Sequence, residues 1–275
     1  MQYYTLISGL PDLSFDDVKM AYTVEDFKEQ LHEILSASDK KLLHDLFLKY
    51  DNDNLLAFLR DEHAIFDPKG AFSHEEIADM VQEIKETEHP LNKNIPPYFK
   101  VFVPDFIAGN EALYKMFWED QLATLYYDYI GCSKNKFIRD WAALHLNINN
   151  VMIALTCRRN GVNHIPYIVG NNEVAKNLRT SNTRDFGLMD VFEQFDEIRR
   201  IDGETNLIEK EYKIDRLCWR WIDEATTFNY FTIEPIIGYL LKLQIMERWI
   251  TLNEASGKQI FKDIVNNLKN IKYDN

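Results

Sequence analysis

Glycine and proline are scarce in this chain of 275 residues, at 10 and 8 positions, and cysteine occurs three times. Few turn-formers mean few interruptions, so long elements are expected. Sandwiches and barrels need turn residues at short intervals and are excluded on that ground. Cys132, Cys157 and Cys218 are an odd set, far apart in sequence. This excludes a disulfide framework or a zinc knuckle and reads as free thiols in a reducing compartment. Positive charge is also short: 31 Lys and Arg stand against 44 Asp and Glu, a formal net charge of −13. Nucleic-acid binding needs a basic stripe to displace phosphate counterions, and basic runs here never exceed pairs such as Arg158-Arg159. The most apolar segment, Ile236 to Met246, is interrupted by Lys242 and Gln244 and falls short of the roughly 20 residues that a bilayer requires. The N-terminus lacks a basic n-region and an apolar h-region. The expectation is a soluble cytoplasmic protein, attached to a membrane only through protein contacts.

What is present is apolar and aromatic material, 46% and 13% of the chain, enough for a full core in one large domain or several subdomains. Tyr3 to Ser8 is β-prone and reads as a short strand or an extended arm. Ser14, followed by Asp17, offers the start of a short first helix. Thr23 and Asp26 cap the next, in which Val24, Phe27, Leu31 and Ile34 follow helical spacing. Ser38 and Asp39 open a third, whose stripe runs from Leu42 and Leu43 to Leu59 with a break near Tyr50–Asp53. Ser73 with Glu76 forms a capping box for a helix ending before Pro90.

Pro90, Pro96, Pro97 and Pro104 mark a linker. Longer helices are predicted over 111–129, 136–159, 206–229 and 232–252, with shorter ones over 172–179 and 188–199. Pro235 is tolerated in a first turn. Ser256-Gly257 separates a last helix over 258–270. The expected organisation is a helical subdomain over 1–89, a linker over 90–110, a middle helical subdomain over 111–200 and a long-helix subdomain over 201–275. Helix would occupy about 70% of the chain, an all-α fold of several packed helices.

Signatures of chemistry fail on stated geometry. No GxGxxG, GxxxxGK[ST], HExxH or GxSxG occurs. Asp51-Asn52-Asp53-Asn54 with Glu62 imitates a calcium loop, but Leu55 and Leu56 fall where oxygen and glycine are needed. Glu29-x-x-His32 and Glu86-x-x-His89 carry the ligand spacing of di-iron carboxylate bundles. Glu29 and His32 sit off the apolar stripe, and His89 stands at a proline-terminated end, so a solvated face is the plainer reading. His145 and His164 read as packing or capping side chains. Trp219, Trp221, Phe228, Tyr230 and Phe231 form an aromatic cluster that reads as core or, alternatively, as a partner surface. No catalytic residue, metal or cofactor is expected.

One pattern recurs. Asp51-x-x-Asn54-Leu55, leading to Leu59-Arg60, resembles Asn150-Val151, leading to Leu155, Arg158 and the stop at Gly161. A polar step inside an apolar stripe would let the Asn bond the backbone of a neighbouring helix and fix its register. The opening YYTLISGLPDLSFDD resembles an uncharacterised bacterial family encoded beside the genes of V-type ATPases. The D-x-x-N-L step and the segment TIEPIIGYLLKLQIMERWITL resemble the C-type stalk component of archaeal and bacterial V-type ATPases, the counterpart of the eukaryotic d-type component. That likeness covers the windows 42–60, 139–161 and 232–265. Thr156 stands where that family carries arginine, and Trp249 and Thr251 where it tends to carry Asn and Arg.

The resemblance implies a funnel-like assembly of pseudo-repeated helical units that seats a central stalk on a membrane rotor ring without chemistry of its own. The other proteins of the stalk and the rotor ring would be its partners, with no nucleic acid and no small-molecule substrate. The structural or partner-contact candidates are Asp51, Asn54, Arg60, Asn150, Gly161, Pro235, Tyr239 and Glu247. The alternatives are a di-iron bundle oxidoreductase on Glu29, His32, Glu86 and His89, or a general helical adaptor.

Overall fold

A computed structural model describes residues 3–17, 19–87, 90–110 and 116–273, with 254–273 described at the backbone level. The chain is all-α: helices make up 66% of it, and the described residues contain no strand. In chain order the helices are α1 (Tyr4–Gly9), α2 (Val24–Ile34), α3 (Ala37–Arg60), α4 (His74–Glu86), α5 (Phe99–Ile107), α6 (Trp118–Gly131), α7 (Lys136–Arg159), α8 (Glu173–Thr180), α9 (Phe195–Asp202), α10 (Leu207–Thr226) and α11 (Ile233–Tyr273).

The contacts divide the chain into two compact units. One combines 1–40 with 211–275, so it joins the two ends of the chain; the other is 41–210. In the first, α2 buries Val24, Phe27 and Leu31 and packs on α11. Thr23 and Asp26 close a reciprocal capping box at the start of α2. Ile34, assigned to the buried stripe by spacing, is exposed; Leu35, at the helix end, is buried instead. On α11, Ile236, Ile237, Leu240, Leu241 and Leu243 form the buried stripe. Trp249 donates its indole N–H to Asp215 of α10 at 2.8 Å, and Arg248 lies 2.6 Å from the same carboxylate.

In the second unit α7 is the central element, packing on α6, α8 and α9. Asn135 caps it by accepting from the Ile138 N–H, and its limits are those that the spacing predicts. The stretch 90–110 lies within this unit. Ile95, Tyr98, Phe99, Phe102 and Val103 are buried there, and α5 carries Pro104 in its interior. Apolar content outweighs the proline signal in this segment.

Four local expectations are corrected. Residues 4–9 are helical rather than extended; the Tyr3 hydroxyl bonds the Asp39 carboxylate, and Tyr3 is buried. Ser14 and Asp17 form only a turn, in which the Ser14 N–H meets the Asp17 carboxylate at 2.8 Å. Helix α3 continues through Tyr50–Asp53, and α11 continues through Ser256-Gly257. A single Ser or Gly costs a helix about 1 kcal/mol at most, too little to stop one with strong formers on both sides.

Candidate functional site

The residues that recur in sequence also do the same work in the fold. Asn54 lies on α3, 2% exposed. Its carboxamide donates to the Asp67 carbonyl at 3.1 Å and accepts the Asp67 N–H at 2.7 Å. Asn150 lies on α7, 1% exposed, and does the same to Val169, donating to its carbonyl at 2.8 Å and accepting its N–H at 2.9 Å. A primary amide offers one donor edge and one acceptor edge, so it can satisfy both backbone groups of one residue. Each Asn thus clamps the loop that follows its own helix. The bond runs to a loop rather than to the neighbouring helix that the sequence suggested.

A second polar residue stands three positions earlier on each helix. Asp51, fully buried, accepts the Ala71 N–H at 2.9 Å and the Phe72 N–H at 3.0 Å. Ser73, the next residue, is the N-cap of α4, where it closes a capping box with Glu76. Asn147 accepts from the Asn172 side chain at 2.8 Å, and Asn172 is the N-cap of α8. Both long helices therefore hold a loop with Asn and, one turn earlier, the start of the next short helix. Asn147 is absent from the sequence-based candidates, although Asn147-x-x-Asn150 repeats the spacing of Asp51-x-x-Asn54.

The loop glycines fit this arrangement. A Cβ on Gly70 would stand 2.6 Å from Asn54 Nδ2 and 2.7 Å from Asp51 Oδ1. Gly170 follows the clamped Val169 with φ +78°, and a Cβ there would meet Leu146 at 2.8 Å.

The longest helix, α11, carries a related contact. Glu247 accepts the Val24 N–H at 3.4 Å, at the first residue of α2. Here the short helix lies at the N-terminus and the long one at the C-terminus, so a third long-helix and short-helix pair unites the two ends of the chain. Tyr239 packs its ring 5.1 Å from Phe27, and its buried hydroxyl oxygen has no hydrogen-bond partner. Burial pushes that hydroxyl's pKa up. Pro235 sits in the first turn of α11, where no intrahelical donor is required.

Arg60 ends α3 and meets Glu119 at 2.7 Å, both half-exposed. Arg158, near the end of α7, donates to the Thr183 and Arg184 carbonyls and lies 3.5 Å over the Phe186 ring. Gly161, with φ +68°, terminates α7: its N–H bonds the Arg158 carbonyl, and the Val162 N–H bonds that of Cys157 at 2.8 Å.

The other candidates do not converge. The carboxylate of Asp51 is spent on backbone N–H groups, and Glu62 is exposed. Glu29 and His32 are exposed on α2 in one unit; Glu86, in the other, is exposed and accepts from Gln82. His89 lies outside the described residues. Among the described residues no group of three or more His, Cys, Asp or Glu is placed to hold a metal. His145 packs 4.3 Å from Trp141, and His164 bonds the Leu178 carbonyl at 2.7 Å, as packing and capping residues do. The aromatic cluster divides: Trp219 is buried, while Phe228, Tyr230 and Phe231 are exposed.

The fold and its clamps define an all-helical protein in which two long helices, α3 and α7, each hold the loop and the short helix that follow them. The chain belongs to the DUF2764 family, described as proteins of unknown function, and the family model matches residues 1–271. No curated protein and no solved structure matches it.

Proposed function

We propose that this protein is a non-catalytic component of a V-type ATPase central stalk, joining the stalk to the membrane rotor ring. The observation that carries this reading is the repetition of one polar device on two long helices, Asp51 with Asn54 on α3 and Asn147 with Asn150 on α7, together with the single contact that Glu247 of α11 makes to the start of α2. These positions fall inside the three windows in which the sequence resembles the C-type stalk component. A torque-bearing collar needs helices whose connections cannot slip under load. Buried amide-to-peptide bonds supply that, because breaking one leaves two backbone groups unpaired.

The family description names no activity or partner, so the reading rests on the repeat and the resemblance together. A peripheral position, held by protein contacts, is part of the proposal. Its compatible observation is that no helix among the described residues is long and apolar enough to cross a membrane. The acidic balance of the chain suits partners with basic contact surfaces.

The test is functional. A motor assembled without this protein should hydrolyse ATP without moving ions, and adding the purified protein back should restore transport. Full coupling in its absence would overturn the proposal.

A further inference from the structure

The unit formed by the chain ends carries an uncovered aromatic surface that the stalk reading does not use. The turn between α10 and α11, Thr227 to Thr232, contains no charged residue. In it Phe228 is 85% and Tyr230 64% exposed. Phe231 packs 5.2 Å from Tyr4, so the patch continues onto α1. Tyr4 in turn lines a cavity of about 330 Å³ whose other wall includes Gln30 and Ile34 of α2. Exposed patches of this kind mark interaction sites, and Tyr and Phe in such a setting make strong contacts.

Charge decides what fits. On a 3.6-residue helix the lining positions Gln30 and Ile34 are flanked on the side away from the core by Glu29 and Glu33. Both are exposed. One wall of the groove therefore ends in carboxylates, and a matching occupant needs an apolar stripe with cations along one edge.

The chain's own sequence supplies such a segment. Between Gly257 and Lys272, in a strongly acidic protein, stand four lysines and one aspartate. At helical spacing Ile260, Phe261, Ile264, Leu268 and Ile271 share one arc of the wheel, and Lys258, Lys262, Lys269 and Lys272 gather along a single edge of it. The segment cannot serve the groove of its own chain. Helix α11 runs unbroken from Ile233 to Tyr273, which puts Gly257 about 36 Å along the axis from a start that adjoins the groove.

We propose that the C-terminal segment 257–272 of a second copy occupies this groove, each copy covering the other's. Such an exchange is two-fold and self-closing. It concerns the isolated chain and stands or falls independently of the stalk reading.

The test is sedimentation velocity of the full chain over a range of concentrations at low salt. A concentration-dependent dimer is expected. Glu29→Lys with Glu33→Lys should weaken it by about tenfold. Adding Lys258→Glu and Lys262→Glu to that same chain should restore it, with helicity by circular dichroism unchanged throughout. A chain that stays monomeric at every concentration would overturn the proposal. So would a dimer indifferent to the first pair of substitutions, or one that the compensating pair fails to rescue.

Discussion

The side-chain amide of Asn150 holds both backbone groups of Val169, at 2.8 and 2.9 Å, inside a buried site. Asn54 holds Asp67 in the same way, but Asp67 is exposed. The difference sets unequal costs. Asn150→Ala leaves a buried N–H and a buried carbonyl without partners and should cost about 2–4 kcal/mol. Asn54→Ala, whose partner water can reach, should cost about 1–2 kcal/mol. Urea unfolding of the two variants measures the order, and an equal or reversed cost would show that burial does not set it.

Gly70 gives a steric version of the same test. A methyl group there meets both Asn54 and Asp51, so Gly70→Ala should destabilise by about 1–3 kcal/mol through displacement of the clamp. Gly131, at the end of α6, has nothing within 4 Å of an added Cβ. Gly131→Ala should therefore be neutral or slightly stabilising. Thermal unfolding of the pair separates a clash from a general intolerance of substitution.

Asp45 on α3 governs part of the acid sensitivity. Burial alone raises its carboxyl, but hydrogen bonds from His44, Lys41 and Tyr129 outweigh burial and hold the pKa below the usual carboxylate value. Lys41 Nζ lies at 2.9 Å and the Tyr129 hydroxyl donates at 2.9 Å. A depressed folded-state pKa means that the stability is fully present above the unfolded value, near pH 4, and is lost as pH falls through the folded one. Asp45→Asn should lower stability at neutral pH by about 1–3 kcal/mol and flatten the fall below roughly pH 4. Unfolding curves over that range decide it; an unchanged acid slope would contradict the assignment.

The helices are legible in the sequence where local signals carry them. Thr23 and Ser73 announce helix starts through their own side chains, and the pattern of 136–159 is enough to bound α7. The half of the clamp on the long helices is also legible, because Asp51, Asn54 and Asn150 interrupt apolar stripes. Their partners are not. Val169 and Asp67 contribute only backbone groups, which every residue has, so nothing in their identity marks them. Tyr3 to Gly9 mislead for a related reason: β-prone residues become helical where the Tyr3 side chain is tied to Asp39, 36 positions away. The exposure of Phe228, Tyr230 and Phe231 is undecidable from spacing, because a turn has no periodic face.

Arg60 separates stability from assembly. Its bond to Glu119 is exposed, and such pairs contribute about 0–1 kcal/mol. Arg60→Ala should leave the unfolding free energy of the isolated protein within that range. If Arg60 contacts a stalk partner, the same variant should bind the purified stalk proteins more weakly, read by titration calorimetry. A large loss of stability would instead make its role internal.

Co-purification tests the central claim most directly. The protein, tagged at its native locus and extracted in mild detergent, should bring down the V-type stalk and rotor-ring proteins in fixed proportion by native mass spectrometry. Recovery of the tagged protein with none of them, from cells in which the motor is assembled, would contradict the account.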